Sequence, residues 1–124
     1  MSDKKLIEKL PVKQARRLAL IEPPDGIAAL LADAPLAEAV ETAEVVLAFA
    51  RSQDALARTL PALAARLMPG AILWLGYPKL GSPLAGDLSR DVIHRAVPPI
   101  GLDTVAQIAI DATWSALRLK IMPG

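Results

Sequence analysis

The run Val45-Val46-Leu47-Ala48-Phe49 constrains the fold more than any other part of the chain. Successive side chains of a strand point to opposite faces, so an unbroken apolar run needs cover on both sides. A central strand of a parallel sheet, flanked by helices, provides that cover. The compact stretch Arg17 to Ile21 and the stretch Ala71 to Tyr77 read the same way, with the strongest strand placed at Glu44 to Ala50. Three such strands, separated by segments long enough for helical crossovers, point to an α/β fold.

The intervening segments carry helix signals. After Arg51-Ser52, Leu56, Leu60, Leu63 and Leu67 recur at helical spacing, and Ser52 is placed to cap the N-terminus. Pro61 lies inside this helix and is expected to kink it or divide it in two. Met68-Pro69-Gly70 ends it, with Gly70 free to take positive φ. Pro23-Pro24-Asp25-Gly26 breaks the chain after the first strand, and Asp25 is the expected cap of a helix over Ile27 to Ala34. Asp87 is the expected cap of another helix reaching about Ala96, stopped by Pro98-Pro99. At the start of the chain, Leu6, Ile7 and Leu10 share one face of a short amphipathic helix that Pro11 stops. Leu36 to Val40 lies too close to the next strand for a parallel crossover, which takes about a dozen residues, so it is a connection or a stub at the sheet edge.

The C-terminal part has a different pattern. Thr104 to Ile110 is a strand, Asp111-Ala112-Thr113-Trp114 turns the chain, and Ser115 to Ile121 alternates. Leu117, Leu119 and Ile121 fall on one face, and Arg118 and Lys120 on the other. That alternation marks a half-exposed strand pairing back as an antiparallel hairpin. The whole is read as a single three-layer α/β domain over residues 1–124, its mostly parallel sheet ending in this hairpin.

Composition narrows the function classes. The 14 Lys+Arg nearly balance 13 Asp+Glu, and no basic run interleaves with aromatics, so no nucleic-acid partner is expected. With no cysteine, the chain has no disulfide, thiolate metal site or cysteine nucleophile. No apolar run approaches the ~18 residues of a membrane span. The N-terminus lacks the apolar core of a signal peptide, so the expected compartment is the cytoplasm. No metal cluster stands out, and no paired carboxylates stand out for acid–base work. His94, the only histidine, has no metal-ligand partner one helical turn on.

Leu67-Met68-Pro69-Gly70-Ala71-Ile72-Leu73 resembles the turn and strand of class I methyltransferases, which often read Leu-x-Pro-Gly-Gly before a central strand. A closing antiparallel hairpin is also that fold's habit. More narrowly, the chain resembles a family of small bacterial proteins known only as a domain of unknown function. The matching stretches are Arg51-Ser52, Leu67 to Gly70, Pro78-Lys79, Asp87-Leu88-Ser89-Arg90-Asp91 and Trp114-Ser115-Ala116-Leu117-Arg118-Leu119. The resemblance implies a Rossmann-like fold and no assigned activity. In methyltransferases the first strand leads into a Gly-x-Gly-type loop whose bare backbone approaches S-adenosylmethionine. Here that place holds Glu22-Pro23-Pro24-Asp25-Gly26, in which two prolines remove two N–H donors. The acidic residue that grips a ribose at the end of the second strand has no clear equivalent. No bound cofactor is therefore expected.

In an open parallel sheet, ligands sit beyond the C-terminal ends of the strands. Those ends supply the candidate ligand-binding residues Asp25, Gly26, Arg51, Ser52, Lys79, Asp111, Thr113 and Trp114. This mixture of cations, hydroxyls, carboxylates and an indole suits a small anionic or carboxylate ligand. Ser52 and Asp87 are also explained as simple helix caps, and Trp114 as an anchor of the hairpin to the core. Lys79 opens the Gly-containing loop Pro78 to Gly86, which suggests a lid; no Walker motif occurs. The expected function is a non-catalytic ligand-binding or regulatory domain that has lost the methyltransferase cofactor site. The alternatives are a small methyltransferase-like enzyme using the Lys79 loop, and a structural or oligomerising protein. A homodimer through the hairpin, Thr104 to Ile121, is expected because few helices remain to cover it.

Overall fold

In the computed structural model, residues 17–24, 26–30 and 36–122 are described. Strands β1 (Leu18–Ile21), β2 (Val45–Phe49), β3 (Ile72–Pro78), β4 (Leu102–Ala109) and β5 (Trp114–Ile121) form one mixed sheet. Helices α1 (Ile27–Leu30), α2 (Gln53–Arg66) and α3 (Arg90–Ala96) connect them, with short 3₁₀ turns at Val40–Thr42 and Pro98–Ile100. The strand order is β1-β2-β3-β5-β4. β1, β2 and β3 run parallel, and β5 inserts antiparallel between β3 and β4.

The unbroken apolar run does what its pattern demands. All five β2 residues are buried, because their side chains enter two separate cores. Val46 and Ala48 face a core built with Leu56, Leu60 and Leu63 of α2 and Ile93 of α3. Val45, Leu47 and Phe49 face the opposite core, with Leu18, Ile27, Trp74, Trp114 and Ala116. α2 and α3 thus pack on the same side of the sheet, and α1 contributes Ile27 to the other.

Several local expectations need correction. Pro61 does not divide α2, which runs unbroken from Gln53 to Arg66. A single missing N–H is tolerated because Leu60 and Leu63, on either side of the proline, are both anchored in the core. Asp87 does not cap α3. Ser89 does, its Oγ accepting the Val92 N–H at 3.2 Å. The Asp87 carboxylate instead accepts the Gln53 N–H at the start of α2, at 2.9 Å, while the Gln53 side chain donates to the Asp87 carbonyl. Pro78 belongs to β3 and is buried rather than opening the loop. The hairpin strands extend beyond the expected bounds, to Leu102 at one end and Trp114 at the other.

Other expectations hold. Ser52 Oγ accepts the Ala55 N–H at 3.1 Å, and Gly70 takes φ +80°. Among the described residues Leu36 bridges in parallel to Leu18, in line with the stub expected at the sheet edge. The helix expected over Ile27 to Ala34 is described for Ile27–Leu30. The expected helix over Asp3 to Leu10 and the expected cap Asp25 lie outside the described residues. Among the described residues no helix is long and apolar enough to cross a membrane, and no group of three or more His, Asp or Glu side chains could hold a metal ion.

Candidate functional site

A cavity of about 650 Å³ opens at the C-terminal ends of β1 and β2. Its floor begins with a packing choice in the sheet. Phe49 ends β2 opposite Gly76 of β3. A Cβ on Gly76 would stand 2.5 Å from the Phe49 ring, so only glycine lets the ring lie across β3. Opposite Gly76 on the next strand is Ala116, again small. The ring therefore reaches Trp114 of β5, with centroids 5.4 Å apart and planes at 87°. This edge-to-face contact ties the parallel half to the hairpin beneath the cavity.

The walls come from the turns that follow the strands. The Asp111 carboxylate accepts the backbone N–H groups of Thr113 and Trp114 at 2.8 and 2.7 Å, an Asx turn that reverses the hairpin. The Lys79 N–H donates to the Thr113 carbonyl at 2.8 Å, which joins the loop after β3 to that turn. Across the opening, Glu22 leaves β1 with φ +53°, the left-handed region rarely used by residues other than glycine. Pro23 and Pro24 follow it along the wall, Arg51 leaves β2 at the rim, and Leu84 comes from the loop after β3.

Of the residues singled out by strand-end position, Arg51, Asp111, Thr113 and Trp114 line this cavity together. Trp114 is only 3% exposed, so it serves as floor and anchor rather than as an open stacking platform. Ser52 and Lys79 are not among the lining residues: the Ser52 hydroxyl caps α2, and the Lys79 backbone is held by the hairpin turn. Gly26 takes φ +87° in the turn after the prolines and does not line the cavity. Asp25 lies outside the described residues.

Sequence reading missed Glu22 and Leu84 as lining residues. Nothing in the sequence marks a left-handed glutamate, and its place before a proline argues for an extended backbone instead. Among the described residues the lining charges are Glu22 and Asp111 against Arg51, so carboxylates outnumber cations there.

His94, by contrast, lies away from this cavity. Its Nδ1 is 2.6 Å from Thr104 Oγ1, between α3 and β4. Nearby, the Gln107 amide donates to the buried Tyr77 hydroxyl at 2.9 Å. Burial pushes the Tyr77 phenol above its ordinary value, against the lowering effect of its hydrogen bonds.

No family model and no curated protein matches the chain. Solved structures do. LepI in complex with SAM matches at 12% identity and a TM-score of 0.52, over 94% of this chain and 39% of LepI. A LepI variant in complex with SAH and a substrate analogue matches at 12% identity and a TM-score of 0.53, over the same shares of each chain. A ribosomal protein L11 methylase from Lactobacillus delbrueckii subsp. bulgaricus matches at 14% identity and a TM-score of 0.49, over 88% of this chain and 59% of the methylase. The chain thus spans only part of these proteins, from 39% to 59% of their length. The likeness to the two LepI structures shows the fold alone, an α/β domain of the class expected from the sequence.

Proposed function

We propose that this domain is a non-catalytic binding module that keeps a methyltransferase-like frame, has lost the S-adenosylmethionine site, and holds a small ligand carrying both an amine and a carboxylate. One observation carries the reading: Pro23 and Pro24 line the strand-end cavity where the resemblance calls for a glycine loop. Two N–H donors are gone from that wall, and its backbone cannot approach a cofactor as bare glycines do. The bridge at Leu36 supports the same reading, since among the described residues the strand whose end would carry a ribose-gripping acid pairs at that residue alone.

The ligand class follows from the lining. A purely anionic ligand would meet Arg51 but also Glu22 and Asp111. An amine near the two carboxylates and a carboxylate on Arg51 satisfies all three, with an apolar body against Pro23, Pro24 and Leu84. A thermal-shift screen with α-amino acids, simple carboxylates and S-adenosylmethionine tests this. An α-amino acid is expected to raise the melting temperature by several degrees, and Arg51→Ala to remove that rise. Tight S-adenosylmethionine binding by isothermal titration would overturn the reading.

The second reading is a small methyltransferase-like enzyme using the same cavity, with the Lys79 loop as cover. It is favoured by Leu84 of that loop lining the cavity. Transfer of a labelled methyl group from S-adenosylmethionine to any small acceptor would establish it.

A further inference from the structure

The hairpin carries a second surface, remote in character from the strand-end cavity. A groove of about 590 Å³ is lined by Ile72, Val105, Ala106, Arg118, Lys120 and Ile121, with Gly70, Ala71 and Leu119 completing it. Among the described residues it contains two cations and no carboxylate. Arg118 and Lys120 are exposed, and neither enters an ion pair among the described residues. Asp103 faces Lys120 in the strand register but does not pair with it and does not line the groove. Val105 and Ile121, the apolar residues of the rim, are 49% and 52% exposed.

The groove lies at an edge. β4 is the last strand of the sheet, and among the described residues no further strand pairs with it. The bulge between Thr104 and Ala106 leaves Val105 as the extra residue. Opposite Arg118 in register is Ala106, whose methyl group leaves the space above β4 open. Over residues 102–108, where no further strand pairs among the described residues, the edge offers backbone hydrogen bonds, which an extended peptide can accept and return. Two unpaired cations one strand inward offer charge to its side chains. The exposed apolar rim favours a peptide over a nucleic-acid backbone, which would bring phosphates against Val105 and Ile121. A second copy pairing edge to edge keeps the β5 strands of the two copies apart, so it offers Arg118 and Lys120 no carboxylate from its own groove.

We propose that the β4 edge and the Arg118–Lys120 groove bind an acidic, extended peptide segment of a partner protein, which adds a strand to the sheet. Residues alternate along such a segment, with carboxylates toward Arg118 and Lys120 and apolar side chains toward Val105 and Ile121.

The probe is a fluorescein-labelled peptide of about eight residues alternating glutamate and valine. Fluorescence polarisation follows its binding to the full chain, and amide chemical shifts map the contact. Saturable binding with shifts confined to β4 and β5 is expected. Raising salt from about 0.05 M to about 0.5 M weakens it, and Arg118→Glu with Lys120→Glu weakens it by at least about tenfold. Because both side chains are exposed, the double variant is expected to melt like the parent. If it does not, Arg118→Gln with Lys120→Gln gives the same readout. Equal binding of a lysine–valine peptide overturns the proposal. So does a single-stranded oligonucleotide that competes fully with the peptide, because the groove then reads charge alone. Concentration-dependent dimerisation that the peptide cannot disrupt assigns the edge to a second copy and overturns it as well.

Discussion

The sheet has two halves with different rules. In the parallel half, β2 is buried along its whole length and separates two cores. In the hairpin, β4 buries only Leu102 among its eight residues, and β5 alternates once past Ala116, with Leu117 and Leu119 inside and Arg118 and Lys120 outside. The difference shows in how a substitution propagates. A change in β2 is felt on both faces at once, whereas the outward residues of the hairpin can change with little structural effect. The candidate cavity sits where the halves meet, on the Phe49–Trp114 contact.

That joint gives the largest expected effect. Trp114→Ala removes a buried ring that both halves share, and is expected to cost about 3–5 kcal/mol in urea unfolding. A cost under about 1 kcal/mol would mean that the halves are held together elsewhere. Gly76→Ala tests the same joint from the parallel side. The added methyl group drives the Phe49 ring away from Trp114, at about 1–3 kcal/mol. Phe49→Leu in the same chain is expected to recover part of that loss, as relief of the clash requires.

The caps come next. Ser89→Ala is expected to cost about 1 kcal/mol through α3, and Asp87→Ala to cost a similar amount through α2, by freeing the Gln53 N–H. Hydrogen exchange separates them: protection falls at Val92 in the first variant and at Gln53 in the second. Loss of protection at the start of α3 on changing Asp87 would restore the assignment that sequence position favours.

The smallest effects are electrostatic, and they fall at opposite ends of the pH scale. In the parallel half, paired Arg66 side-chain hydrogen bonds hold the Glu41 carboxyl below its ordinary value, and the Arg17 N–H does the same for Glu44. Because the folded values are lowered, their contribution is fully present above the ordinary carboxylate value and is lost as pH falls through the folded one. Both side chains are exposed, so the loss is small. Near the hairpin, the raised Tyr77 phenol keeps its proton longer in the folded chain. Its contribution is present below the ordinary tyrosine value and is lost as pH rises beyond it. Urea midpoints across pH should therefore show Glu41→Gln flattening the acid limb only, and Tyr77→Phe flattening the alkaline limb only. Crossed effects would show that the two groups are electrostatically coupled.

Much of the architecture was readable in advance. The run Val45 to Phe49 demanded two-sided cover, and the alternation from Leu117 to Lys120 demanded one-sided cover; both demands are local and survive any choice of partner strand. The Ser52 cap and the Gly70 turn were legible for the same reason, since each acts within a few residues of itself. The candidate site was legible only as a set of strand ends. Which of them share a cavity depends on strand order, and four of the seven described ones do: Arg51, Asp111, Thr113 and Trp114.

What sequence could not decide is what distance in the chain hides. Asp87 and Ser89 are both good caps by type, and only the packing of α2 beside the loop gives Asp87 to Gln53. Pro61 is a helix breaker by type, and only the anchoring of Leu60 and Leu63 in the core keeps α2 whole. Gly76 carries no local signal at all, because its necessity comes from a ring on a neighbouring strand. Hydrophobic pattern and capping are short-range and are written in consecutive residues. Cap competition, tolerated prolines and ring-on-glycine packing are settled by neighbours that only the folded chain brings together.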